Sequence, residues 1–548
     1  MTSGSVVTEQ RYRRRRSASR RTASKPGASF GQVIRAELIK FTSVRGWVIG
    51  MIVAALLTLL FGVFLAGNAS IGCGPTRSGK ACLPKVPIGP GGEAVTDSFY
   101  LVRQPLAGNG SLTVRVTSLT SLVAQGSGQA GPVGQGPRNP LANMSKGTVP
   151  WSKAGIIITA STRPGSAYAA LMVTGGHGVR MQYDYIHDTA GLPGKVSPAA
   201  PRWLRLTRDG DVISGYDSAD GKHWDLVGTA TLAGLPRTVQ AGPFATSPID
   251  NKVLPFFGGA SVQSGPSQAT AVLDEITRRG HWPAATWTGD NIGGHGNTPG
   301  TGVGYFRQSG GAITVSGSGD IAPVVPGPGS FYPTTTIEQP LTGIFVGLIA
   351  VVVVAAMFFT AEYRRGLIRT TLAATPSRIR VLAAKAVVAA GAAFAAGLVA
   401  SAIAAPLGVS RMQNQGQFVL PVSILTEVRV LVGTAAMVAV AAALAVALGA
   451  ILRRSAAAVT AAIVVVVLPF LLSVAVLPVT AANWVLRLTP AAGFSIEQSI
   501  PNYPQVDSVA SPASGTYPLP PWAGFGVLCL YAAVALVLAA ILLRRRDA

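Results

Sequence analysis

The sequence predicts an α-helical membrane protein with six transmembrane helices and an inserted all-β sandwich domain. Three observations carry that expectation. The chain of 548 residues is 49% hydrophobic and only 12% charged, about half the charge of an ordinary soluble domain. Its uncharged apolar runs each reach the roughly 20 residues needed to cross a bilayer. Between the first two runs, residues 96–319 change period, to short alternating or β-branched stretches separated by turns.

A formal net charge of +23 would suggest nucleic acid in a soluble protein. Here position explains it. Of the 45 Lys and Arg, eleven precede the first run, six lie between the second and third, two follow the fourth and three end the chain. That is the positive-inside pattern. It places both termini and residues 361–385 in the cytoplasm of a multi-pass plasma-membrane protein, and no nucleic-acid partner is expected.

Residues 1–29 are polar and Arg-rich, and read as a disordered basic cytoplasmic tail drawn to anionic lipid headgroups. The apolar run that follows starts too late and is too long for a cleavable signal peptide. In 30–45, Phe30, Val33, Ile34, Leu38 and Phe41 share one face, with Arg35, Glu37 and Lys40 elsewhere; this reads as an interfacial amphipathic helix on the bilayer. Residues 46–66 are transmembrane helix 1.

An external linker, 67–95, carries Cys73 and Cys82, which read as a disulfide in an oxidising compartment. The closed loop is short, so the stabilisation is modest, about 2–3 kcal/mol. Within it, 74–80 nearly completes a phosphate-binding loop, but Ala81 stands where Ser or Thr would hold magnesium and no strand precedes it, so no nucleotide site is expected.

Residues 96–319 form the extracytoplasmic β-sandwich. Strand-like stretches occur at 111–119, 155–161, 168–174, 179–186, 203–208, 211–216, 224–230 and 239–246, with one more at 312–316 in a Gly-rich tail. A Pro-rich linker, 320–340, returns the chain to the membrane. The remaining spans are 341–360, 386–405, 430–452, 456–479 and 523–543, with Pro469 and Pro478 as kinks in the fifth. Residues 481–522 are external, and 544–548 are a cytoplasmic tail. These spans hold no Asp, Glu, Lys, Arg or His, which weighs against an ion-coupled transporter. Gly343 and Gly347 have the spacing of a close helix contact, read as packing within the chain.

Candidate chemistry in the sandwich is thin. Asp217, Asp220 and Asp225 suggest a carboxylate pair or calcium ligands, but read better as turn acids. His177, His187 and His223 lack zinc-ligand spacing. Tyr183, Tyr185, Tyr216 and Trp224 read as core before sugar-stacking. Cys529, alone in the last span, reads as packing. No catalytic, cofactor-binding or metal-binding residues are expected, and the chain is not read as an enzyme.

Residues 361–385 are the stretch around which the chain is organised. Glu362-Tyr363-Arg364-Arg365-Gly366-Leu367-Ile368-Arg369-Thr370-Thr371-Leu372, then Thr375-Pro376-Ser377-Arg378 and Val381-Leu382-Ala383-Ala384-Lys385, resemble the loop after the second span of permease subunits in the type-2 ABC exporter family. Gly366 and Pro376 bracket a short piece with helical spacing. The resemblance implies docking on a separate cytosolic ABC ATPase through Glu362, Tyr363, Arg364, Arg365, Gly366, Arg369, Thr370, Pro376 and Arg378. It also implies a permease dimer, of two copies or with a paralogue, in a bacterial plasma membrane. Trp151-Ser-Lys-Ala-Gly155, Pro201-Arg-Trp203-Leu-Arg-Leu206 and the 215–224 stretch resemble laminin-G/concanavalin-A-like sandwiches, which implies a fold before a ligand; an envelope glycan is the candidate. The competing reading is a membrane-anchored protein that binds or senses cell-envelope sugar. A glycosidase lacks a credible carboxylate pair.

Overall fold

The structure, a computed structural model, describes residues 29–68, 86–124, 144–256, 259–283, 286–293, 304–326, 332, 334–368, 370–371, 377–506 and 512–545. Cys73 and Cys82 lie outside these.

Ser29 opens the first helix, Phe30–Ser43, with a reciprocal capping box to Gln32. Among the described residues, six helical segments are long and apolar enough to cross a membrane: Arg45–Ala66, Gln339–Arg364, Arg378–Asn414, Ile424–Leu452, Ser455–Ala475 and Pro521–Arg545. They are called the first to sixth spans below. The fourth is the most enclosed. Its small face, including Ala441, Ala442, Ala445 and Gly449, lets neighbouring backbones approach closely. Gly343 and Gly347 sit against the first span. A side chain on Gly347 would collide with the Thr58 hydroxyl, and one on Gly343 with the Gly62 backbone. This small-residue pair therefore packs within the chain.

Two spans depart from expectation. The third begins at Arg378 and not at 386, so Lys385 is a helical residue. The fifth is interrupted by a π-helical turn, Ile463–Val467, immediately before Pro469. Proline has no N–H to bond the preceding turn, and a widened turn absorbs the defect. Pro478 kinks nothing within that span; it caps the next helix, Val479–Leu488.

Among the described residues, the β region is a fourteen-stranded antiparallel sheet folded on itself around a main core, between a sandwich and a barrel, with a second apolar cluster that includes Phe99, Tyr168 and Phe244. Its hub is the 26-residue strand Phe99–Ala124. One half pairs with Thr238–Thr246 and Thr288–Ile292, and the other with Arg202–Asp209 and Ser267–His281. The alternation is physical: along Arg202–Asp209, Leu204 and Leu206 face the core while Arg205 and Thr207 face out. Gly210, with φ of +63°, makes the turn that follows.

The expected stretch 179–186 is a strand only over Val179–Tyr183, because Asp184 and Tyr185 take positive φ. Among the described residues the Gly-rich tail holds three strands, not one: Thr288–Ile292, Tyr305–Ser309 and Ala312–Gly317. The 320–340 linker is not free. Ile321–Pro323 pairs with Val95–Asp97, Thr334–Thr335 pairs with Phe418–Val419, and buried Lys153 holds Asp320 at 2.6 Å. The sandwich is thus fastened to the helix bundle along its return path.

Candidate functional site

The second span ends at Arg364, and Gly366, with φ of +69°, turns the chain. Ile368, Thr370 and Thr371 are helical, closed by the Thr371 N–H donating to the Leu367 carbonyl at 3.1 Å. Ile368 is buried and pins this turn to the bundle, while Leu367 and Thr370 stay exposed.

Behind the turn lies a cluster of four charges. Lys385, with no exposed surface, donates to Glu37 Oε2 at 2.7 Å and to Glu362 Oε1 at 2.9 Å. Lys40 donates to Glu37 Oε1 at 2.7 Å, to Glu362 Oε1 at 3.2 Å and to the Thr371 hydroxyl at 3.2 Å. The Lys385 ammonium also lies 4.5 Å from the Phe358 ring centre. Burial works against the Lys40 charge, but Glu37 and Glu362 outweigh it and lift its pKa above the ordinary lysine value. Two carboxylates and two ammonium groups balance, which is what makes such burial tolerable. The cluster ties together the Phe30–Ser43 helix, the end of the second span, the start of the third and the turn between them.

The residues predicted for docking therefore divide. Arg364, Arg365, Gly366 and Thr370 are exposed. Glu362 faces inward, to Lys385 and Lys40, and not outward. The Tyr363 ring lies 5.2 Å from the Arg453 guanidinium, and Arg378 donates to the Leu543 carbonyl at 2.7 Å. Those contacts gather the ends of the fourth and sixth spans at the same place. Arg369 and Pro376 lie outside the described residues.

Sequence reasoning missed Glu37, Lys40 and Lys385. Glu37 was set apart from the apolar face, yet it is buried on the same stripe as Val33 and Phe41. The spacing of those three, four residues apart each time, was the available signal.

The sandwich residues behave as structural groups. Asp217 is buried and accepts from the Leu192 N–H at 2.6 Å. Asp220 accepts from the backbone of Lys222 and His223 within its own turn. Trp151 stacks on His177 and Tyr183 on His187, while Tyr185 donates from the core to Asp97 at 2.7 Å. Among the described residues no group of three or more His, Cys, Asp or Glu could hold a metal.

Residues 182–548 match the family described as ABC-2 family transporter protein, about two thirds of the chain. The chain belongs to the ABC-2 transporter family. It is a membrane-embedded permease component of an ABC transporter. The ABC-2 match takes in the 361–385 segment and five of the six spans, and begins inside the sandwich. It favours transport over the sugar-sensing reading. No curated protein matches the chain.

Among solved structures, scytalido-glutamic peptidase with a transition-state analogue inhibitor aligns at 9% identity and a TM-score of 0.25, covering 42% of this chain and all of that one. A functionally unknown protein from Saccharomyces cerevisiae aligns at 14% identity and 0.17, covering 33% and 74%. A GH43 protein from Bacillus licheniformis aligns at 18% and 0.18, covering 32% and 28%. Agreement this weak carries no inference about what the ABC-2 chain binds.

Proposed function

We propose that the chain is the permease subunit of an exporter-type ABC transporter, moving its substrate with ATP hydrolysed on a separate cytosolic ATPase. The observation that carries the reading is a basic exposed turn mounted on a buried ion cluster. The ATPase seats on Arg364, Arg365, Gly366 and Thr370, with Arg369 and Pro376 contributing by their place in the sequence, and its acidic groups meet the guanidinium groups. Tyr363 and Arg378 hold the turn against the spans. Glu362 acts from behind: a displacement of the turn passes through Glu362 and Lys385 to the second and third spans, and through Lys40 and Glu37 to the Phe30–Ser43 helix. Two permease chains, identical or paralogous, pair with two ATPases.

In this arrangement the charged turn, both termini and Arg453-Arg454 face the cytoplasm, and the sandwich lies outside, where an envelope glycan is its candidate ligand. Cysteine labelling tests the orientation. Ser218 is only 1% exposed and a poor label site, whereas Leu226 is 58% exposed and Ser377 is exposed. In a background with the three native cysteines replaced, an impermeant thiol reagent added outside is expected to tag Leu226→Cys and spare Ser377→Cys. The reverse pattern contradicts the orientation. In the wild type, alkylation without reduction is expected to leave Cys73 and Cys82 unmodified, as a disulfide pair; modification of both rules the pairing out.

A further inference from the structure

At the end of the bundle that meets the sandwich, two glutamates are buried together. Glu338 stands before the Gln339–Gly343 turn that leads into the second span, and Glu497 ends the Pro490–Glu497 turn between the fifth and sixth; they are 4% and 5% exposed. Their carboxyl groups lie within electrostatic reach of each other. Among the described residues neither makes an ion pair. The fourth span contributes Arg429, whose charge reaches Glu338 and whose guanidinium donates to the Gln498 carbonyl at 2.8 Å. The Tyr517 ring comes from the segment before the sixth span and feels both carboxyl groups. Hydroxyls of Thr336 and Ser499 face Glu338, and that of Thr434 faces Glu497. Glu338 Oε2, Glu497 Oε1 and all three hydroxyl oxygens are nonetheless buried without a completed hydrogen bond.

Two carboxylates against one guanidinium leave one negative charge uncompensated where both carboxylate side chains are buried. A proton cancels that charge, and its O–H supplies a donor that the orphaned oxygens lack. We propose that Glu338 and Glu497 form a proton-binding site at the joint between sandwich and bundle, and that its occupancy decides whether the chain around 497–505 stays seated.

That stretch carries the joint. The Ser499 N–H donates to Glu338 Oε1 at 3.2 Å, Ile500 packs with Val86, Ala94, Val324 and Leu420, and Gln505 donates to the Tyr185 carbonyl of the sandwich at 3.2 Å. Ser499 also lines a cavity of about 170 Å³ with Glu93, Leu420 and Tyr503, between the two parts. Repulsion between ionised Glu338 and Glu497 therefore pushes on the contacts that hold the sandwich down.

Burial raises Glu338 to about 7 and Glu497 to about 8, and the Glu338 charge adds to the rise at Glu497. A carboxyl raised in the folded state contributes its full stability below its ordinary range. That contribution falls as pH rises through the raised values and is flat above them.

The test uses the purified full chain in detergent, followed by thermal unfolding and infrared spectroscopy. From about pH 6 to about pH 9, spanning the raised values, the wild type is expected to lose thermal stability relative to Glu338→Gln/Glu497→Gln. Over the same range it is expected to lose a protonated-carboxyl band that the variant lacks. A wild-type-minus-variant difference that does not change with pH overturns the proposal, as does an unchanged band. Rescue of the alkaline wild type by calcium, reversed by chelator, identifies a metal-cation site instead and also overturns it. Should the double variant fail to fold, the wild-type band decides alone, with each single Gln variant removing part of it.

Discussion

Lys385→Met is expected to destabilise the protein by about 3–5 kcal/mol, the cost of removing one partner from a buried ion pair. Methionine keeps much of the length and apolar body of the side chain and places a thioether, not a cation, beside the Phe358 ring. What disappears is the ammonium group that both Glu37 and Glu362 use. Lys40 stays in contact with both carboxylates, but its side chain is 42% exposed, and one cation cannot balance two buried anions. Adding Glu37→Gln to Lys385→Met restores charge balance around Glu362 and Lys40, and is expected to recover most of the loss. Denaturation midpoints of the wild type, the single and the double variant in the same detergent measure this. A single variant within about 0.5 kcal/mol of the wild type, the range of ordinary surface substitutions, contradicts the cluster's role.

The parts of the fold visible in the sequence were those set by local periodicity. The spans announce themselves by length and lack of charge. Strands such as Tyr168–Thr174 and Thr238–Thr246 announce themselves by alternation and β-branching. The 26-residue hub strand does not, because Gly108-Asn109-Gly110 reads locally as a turn. Gly108 does take a positive φ, +70°, and the ladder slips there, but the chain runs on past this bulge because strands on both sides hydrogen-bond to it, and those partners lie far away in the chain.

The candidate site was half legible, for a similar reason. Arg364, Arg365 and Thr370 could be singled out as an exposed basic turn. Lys385 was assigned to that loop because it carries a charge, and a charge next to an apolar run is normally taken as the end of the span. Its burial rests on Glu362, 23 residues away at the other end of the same segment, and on Glu37, 348 residues away. Glu338 and Glu497 were overlooked in the same way, as parts of a linker and an external segment. Buried charge depends on partners that folding brings together, and even Glu362, in the same segment as Lys385, reads locally as one more charge of a surface loop.

The second large effect concerns docking. Exposed ion pairs are worth about 0–1 kcal/mol each, so on the proposed docking mode neutralising a single arginine of the turn is expected to weaken ATPase binding little. Reversal replaces attraction with repulsion, and two reversals on one short turn act together. Arg365→Glu with Arg369→Glu changes none of Glu37, Glu362 and Lys385, the residues of the buried cluster. The variant is therefore expected to fold, insert and retain wild-type thermal stability, which separates loss of docking from loss of structure. Lys385→Met works the other way: it weakens the mount while leaving the exposed arginines in place.

The measurement that bears most directly on the account is co-purification of the ATPase with affinity-tagged wild-type chain and with Arg365→Glu/Arg369→Glu, at equal amounts in the membrane. The account predicts an ATPase bound to the wild type and largely absent from the variant, together with loss of transport-dependent ATP turnover. Undiminished co-purification with turnover intact would show that the turn is a topology signal alone.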